Sequence, residues 1–234
     1  MNPLMQSRVC SLLSVSKLPY QLVAGLGILI AGLLLGGCEP HQLEITQSSD
    51  MSRLEEIDVR MNAGEFELAK QEVGQYTKEY PQCADGWCQL GWAHTKLDEL
   101  DMAVKHFNHS IKLNPDTDNA YVGLGVVKRK KGDIEGAREA YAKAIEVFPE
   151  NAEAYASMLV IELMEKNYDV AAEYGEKAWA LRKDMGTIPA NLAILYYYME
   201  KEDKRQYFYD QAKRLGYHRM DTLDQIFDGT LSIH

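Results

Sequence analysis

Residues 84–117 read ADGWCQLGWAHTKLDELDMAVKHFNHSIKLNPDT and residues 118–151 read DNAYVGLGVVKRKKGDIEGAREAYAKAIEVFPEN. The two blocks align position for position. Trp87 stands over Tyr121, Leu90 over Leu124, Gly91 over Gly125, Ala103 over Ala137, Phe107 over Tyr141 and Pro115 over Pro149. The same 34-residue step continues outward to Pro81, to Ala69 and Ala171, to Tyr155, and to Met158 and Leu192. It also links Phe66, Leu100, Ile134 and Tyr168. Within one block Trp87, Leu90, Gly91 and His94 fall at the i, i+3, i+4, i+7 spacing of a single helix face. Gly64-Glu65 and Gly132-Asp133 sit where the chain must reverse, and Pro115 and Pro149 stop a second helix. Each period is therefore a helical hairpin, and no hairpin alone can bury its apolar face.

These columns resemble the tetratricopeptide repeat (TPR), with its W-x2-L-G-x2-Y, A-x3-F and P positions. The resemblance implies an all-α fold, a right-handed superhelix of about five helix-turn-helix repeats closed by a C-terminal helix. The frames are 50–83, 84–117, 118–151, 152–185 and 186–219. The outer frames keep fewer columns: Arg53 replaces the aromatic in the first, and Pro189 and Arg205 replace Trp and Ala in the fifth. The fourth has Gly175 in place of an aromatic and Lys183 in place of Pro. The tail 220–234 offers Thr222 and Gln225 as a capping box, with Leu223, Ile226 and Phe227 to cover the last repeat.

The first forty residues differ in kind. Arg8 and Lys17 are the only charged side chains before Glu39, and a dense apolar run from Leu22 to Leu35 ends in Leu35-Gly36-Gly37-Cys38. A basic start followed by an apolar core is the pattern of an export signal. Its end resembles the lipobox of bacterial lipoproteins, which implies cleavage after residue 37, lipidation of Cys38 (palmitate included) and a membrane anchor. The absence of Asp after Cys38 resembles sorting to the outer membrane. The alternative is a single-pass inner-membrane anchor, since 21 uncharged residues (18–38) can span a bilayer. Either reading places residues 38–49 as a polar tether and the repeats outside the cytoplasmic membrane, facing the periplasm.

Composition excludes several classes. Beyond Gly37 the chain carries 23 bases against 35 acids, so contact with nucleic acid releases no counterions in its favour. No phosphate loop, G-x-S-x-G, H-E-x-x-H or C-x-x-C is present, so we expect no enzyme activity, cofactor or small-molecule substrate. His106 and His109 are one helical turn apart and read as exposed histidines, because two ligands do not make a metal site. His94 occupies a core column. Cys83 and Cys88 are the candidates for a disulfide or two free thiols, with the loop before the helix able to shorten their separation.

In the TPR family the first helices of successive repeats line a concave groove that takes a segment of a partner protein. Here those columns hold Cys88 and Trp92, Val122 and Val126, Ala156 and Val160, Ala190 and Ile194, followed by Arg129, Leu163 and Tyr197 with Lys130 alongside. The Lys and Asn of carboxylate-clamp TPRs are missing. The expected ligand is therefore an apolar peptide or amphipathic helix. The combination of anchor, repeats and groove resembles TPR lipoproteins that assist pilus assembly. An adaptor that recruits a protease or cell-wall hydrolase is the other reading.

Overall fold

The computed structural model describes residues 52–231; the signal, Cys38 and the tether lie outside the described residues. Within them the chain is a succession of eleven helices: α1 (52–62), α2 (Phe66–Glu79), α3 (Ala84–Lys96), α4 (Leu100–Leu113), α5 (Asp118–Lys130), α6 (Ile134–Val147), α7 (Ala152–Met164), α8 (Tyr168–Leu181), α9 (Thr187–Tyr198), α10 (Glu202–Arg214) and α11 (Met220–Phe227). They pair as hairpins, and each hairpin packs against the next to give a superhelical stack.

The hairpin turn has one backbone solution, used five times. Gly64, Asp98, Gly132, Lys166 and Glu200, each 34 residues apart, all have positive φ between 56° and 82°. Two of the five are glycine; the other three hold an L side chain where Cβ crowds the following carbonyl. The residue four places earlier in the first helix is tied across this turn in the second, third and fourth hairpins. His94 pairs with Glu99, Lys128 with Asp133 (3.7 Å), and Glu162 accepts from Asn167 Nδ2 at 2.9 Å. Those are the 94, 128 and 162 members of one column, so a polar pair spanning five residues closes successive hairpins. At Glu162, only 4% exposed, Arg138 from α6 supplies the neutralising charge.

Large side chains of the second helices press into gaps on the first helices. Phe107, fully buried, lies where a Cβ on Gly91 would come within 2.7 Å of its ring, and it also blocks a Cβ on Gly123 of the next repeat. Tyr141 fills the same gap over Gly125, at 2.6 Å. The fourth repeat reverses the sizes. Leu159 replaces the glycine and Gly175 replaces the aromatic, with a Cβ on Gly175 running into Leu159 and coming within 2.5 Å of Leu192. Volume is conserved across the pair while the two positions exchange roles. Beneath them Ala69, Ala103, Ala137 and Ala171 are fully buried, as are Ser110, Ala144, Ala178 and Ala212 in a second small-residue column.

The stack ends on α11. Leu223 and Ile226, at 1% and 2% exposure, join the core around Ile188, Leu192 and Leu195. These positions lie 34 residues after Pro189 and Leu192, so α11 is a truncated first helix of a sixth repeat. The capping box expected of Thr222 and Gln225 does not form. The helix starts two residues earlier, at Met220, with no side-chain cap, because burying Leu223 and Ile226 sets its register.

Two measurements check this packing. Leu159→Gly leaves a cavity and Gly175→Phe overpacks, each costing about 2–4 kcal/mol in urea unfolding, whereas the double variant recovers at least about 1 kcal/mol of the sum. Lys166→Gly removes a left-handed L residue and raises stability by about 1 kcal/mol, a shift of about 2–4 °C in thermal melting.

Candidate protein-binding groove

The first helices α3, α5 and α7 present Trp92, Val126 and Val160, which step 34 residues apart and are each half-buried. Trp92 is fixed edge-on against Phe107, ring centroids 5.5 Å apart, so its position depends on the wedge of its own hairpin. This is the apolar strip that the concave face keeps partly open. Arg129 lies half-buried at the end of α5.

Other expected lining residues belong elsewhere. Val122, Leu163 and Ile194, at 2%, 6% and 9% exposure, are core: they bury the contacts between neighbouring first helices. Tyr197 is half-buried beneath the capping helix, its ring 5.2 Å from that of Phe227. Lys130 is exposed at the hairpin edge and salt-bridged to Asp98 at 2.7 Å, parallel to Lys131 with Asp101. The basic run 128–131 is thus largely consumed in joining the second and third repeats.

The cysteines and histidines also differ from expectation. Cys88 is a free, buried thiol packed with Ala103, Phe107 and Ala120, while Cys83 Sγ accepts from the Tyr76 hydroxyl at 3.7 Å. Cys83 is held in a disulfide while Cys88 is free, so the Cys83–Cys88 bond is not made. His106 is not an exposed histidine. It is 7% exposed and stacked on Trp87 (5.4 Å) and His94 (4.9 Å). Burial, with His94 and Lys105 nearby, lowers its pKa to about 4. Among the described residues no three His, Cys, Asp or Glu side chains are placed to hold a metal ion.

The first helices also carry acidic residues near Cys88 that the columns of the second and later repeats do not reveal. Asp58 of α1, Asp85 of α3 and Asp118 of α5 all act on the Cys88 thiol, whose pKa is pushed well up, first by burial and then by these carboxylates. Asp85 is half-buried, and burial together with the neighbouring Asp118 raises its pKa to about 6. Asp118 accepts from Asn151 Nδ2 at 2.8 Å. The signal was available: Asp58 occupies the Trp92 column one frame upstream. A second concavity of about 520 Å³ lies between α9, α10 and α11, but its polar groups satisfy one another through Arg205–Glu202 and Tyr209–Asp224.

Sequence models of the tetratricopeptide repeat match residues 84–117 and 122–186. No curated protein matches the chain. Among solved structures, a thermophilic TPR protein of Thermus thermophilus superposes with a TM-score of 0.65 at 21% identity, covering 77% of this chain and 97% of its own. PilF of Pseudomonas aeruginosa gives 0.63 at 17%, covering 78% and 86%. PilW, a type IV pilus biogenesis factor, gives 0.60 at 13%, covering 71% and 77%. At these identities the likeness is one of fold.

Opposite pH responses follow from the buried groups. Asp85 binds its proton more tightly folded (about 6) than unfolded (3.8), so its ionised form costs stability above pH 6 and the cost fades as pH falls. Asp85→Asn should therefore melt higher than the parent near pH 7.5 and equal to it near pH 4. His106 is the reverse, about 4 folded against 6.5. Its contribution is complete above pH 6.5 and lost as pH falls towards 4, a loss that His106→Gln removes from the melting-temperature profile.

Proposed function

Since the chain is a tetratricopeptide-repeat protein, a scaffold for protein–protein interaction, we propose that it serves the assembly of an envelope complex of the pilus or secretion type. In this reading Cys38 carries lipid and holds the repeats at the periplasmic face of a membrane, the outer membrane in preference to the inner. The rigid stack then offers its concave face to an apolar peptide or amphipathic helix of a partner. The supporting observation is the half-open apolar strip Trp92–Val126–Val160, which steps along successive first helices. The likeness to PilF and PilW supports the pilus type by fold alone. A chain made of signal, tether, repeats and cap leaves little room for catalysis, and the reading assigns none.

The test is an affinity pull-down of the full chain from detergent-solubilised membranes, read by mass spectrometry, beside Val126→Asp and Val160→Asp. Circular dichroism checks that both variants retain the parent's helicity. Envelope proteins lost from both folded variants support the reading; an unchanged partner list refutes the groove. For the anchor, Cys38→Ala should move the protein out of the detergent phase on phase partitioning and remove the lipid mass from its N-terminal peptide. Retention of both would exclude lipidation at Cys38.

A further inference from the structure

Three of the four cations at residues 128–131 are neutralised within the chain, and one is not. Lys128 pairs with Asp133 at 3.7 Å, and Lys130 and Lys131 pair with Asp98 and Asp101 at 2.7 Å each. Arg129 pairs with no carboxylate among the described residues. It is half-buried, and its Nε is buried without a hydrogen-bond partner. The residue stands on the last turn of α5, three places after Val126 and four after Gly125, so it neighbours both on the helix surface.

The Tyr141 ring leads to the same place. A Cβ on Gly125 would come within 2.9 Å of Tyr141 Cζ, the carbon that bears the hydroxyl. Val126 packs against the cluster that contains this ring. The ring tip is directed at α7: Phe107, the same column one repeat earlier, reaches Gly123, and the residue 34 places after Gly123 is Ser157. Tyr141 is wholly buried, yet its hydroxyl lacks a well-formed hydrogen bond, although Arg129 and Ser157 lie beside it. Burial, above all, raises its pKa and keeps the proton on. Phe107 shows that this packing does not require a hydroxyl. One left unbonded in a core column costs stability, so packing gives no reason for it.

The guanidinium beside Val126, the Tyr141 hydroxyl, and Ser157 three places before Val160 thus interrupt the apolar strip with polar groups. All three can donate, and the only formal charge among them is positive. An unpaired cation on a partly desolvated surface gains more from an opposite charge than one in open water. The planar fork of Arg matches the two oxygens of a carboxylate. Asp85 and Asp118 do not serve, because they lie in the first turns of α3 and α5. Eleven residues separate Asp118 from Arg129, about 16 Å along the helix axis.

We propose that the groove takes an acidic amphipathic segment of a partner protein, with an Asp or Glu side chain on the Arg129 guanidinium and apolar side chains along Trp92, Val126 and Val160. This rests on the groove being the binding surface and adds the chemistry of what fills it. The carboxylate lies towards the end of α5 from which the hairpin turns back, so the charged edge of the segment faces that rim.

The experiment uses the full chain in non-ionic detergent and three fluorescein-labelled, C-terminally amidated peptides of about 18 residues, five helical turns. One is a neutral Leu/Gln amphipathic helix; the others carry a single Glu or a single Lys flanking the middle of its apolar face. Binding is read by fluorescence anisotropy at physiological salt, with detergent-only blanks subtracted. The Glu peptide should bind about fivefold tighter than the neutral one, and the Lys peptide no tighter than it. Arg129→Gln, its helicity checked by circular dichroism, should bring the Glu and neutral peptides within about twofold of each other. Lys112→Gln, an exposed cation on α4, should keep the preference, because distant surface charge is screened.

Equal binding of the Glu and neutral peptides to the parent, or failure of all three to bind, would overturn the proposal. A preference lost equally in Lys112→Gln would do the same, since it would show only the effect of overall charge. If Val126→Asp and Val160→Asp lose the cellular partner while Arg129→Gln keeps it, the groove stands and its preference for a carboxylate falls. If the valine variants keep every partner, the groove itself falls.

Discussion

The structure depends on one packing constraint: in the second, third and fourth repeats a large side chain from one helix enters a gap left by glycine on the other. Phe107 over Gly91 and Gly123, and Tyr141 over Gly125, bring the two helices of a hairpin together and lock the next hairpin against them. The contact is between repeats as much as within one, which is why the stack and not the hairpin is the stable unit. It also sets the groove. Trp92 holds its edge-on angle because Phe107 is wedged behind it, so a core residue determines how the proposed binding strip is presented. The exchange at Leu159 and Gly175 shows that the constraint is on the summed volume and not on which helix supplies it.

The fold was largely legible because its rules are local and repeated. A 34-residue period, glycine or its substitutes at a left-handed turn, and proline after the second helix each act within a few residues. Five frames then report the same geometry independently. Even Gly175, which looks like a lost column when read alone, becomes intelligible once Leu159 is read with it. The capping helix was legible for its apolar residues but not for its start. Burial of Leu223 and Ile226 fixed its register, and the hydrogen-bonding capacity of Thr222 had no part in it.

The groove was legible only in part, for a physical reason. Columns tell which residues share a direction on a first helix, but exposure in that direction depends on how closely the neighbouring first helix approaches. Val122 and Val126 are one turn apart on the same helix, yet the first is covered by the adjacent repeat and the second is half-open. Leu163 and Ile194 fall on the covered side for the same reason. Cys83 and Cys88 show a similar limit. Their short sequence separation says nothing about direction, and the turn into α3 sends one sulfur towards Tyr76 and the other into the core below Phe107.

Packing does not account for Asp85, half-buried beside Asp118. Asp85 in its half-buried place by Asp118 works against folding at neutral pH, since the fold prefers it protonated. Side chains that oppose the fold in this way gather at surfaces whose selection is for binding, where a preorganised charge costs stability and contributes affinity. Elsewhere ion pairs tie neighbouring helices together: Lys130 with Asp98, Lys131 with Asp101, Arg138 with Glu162.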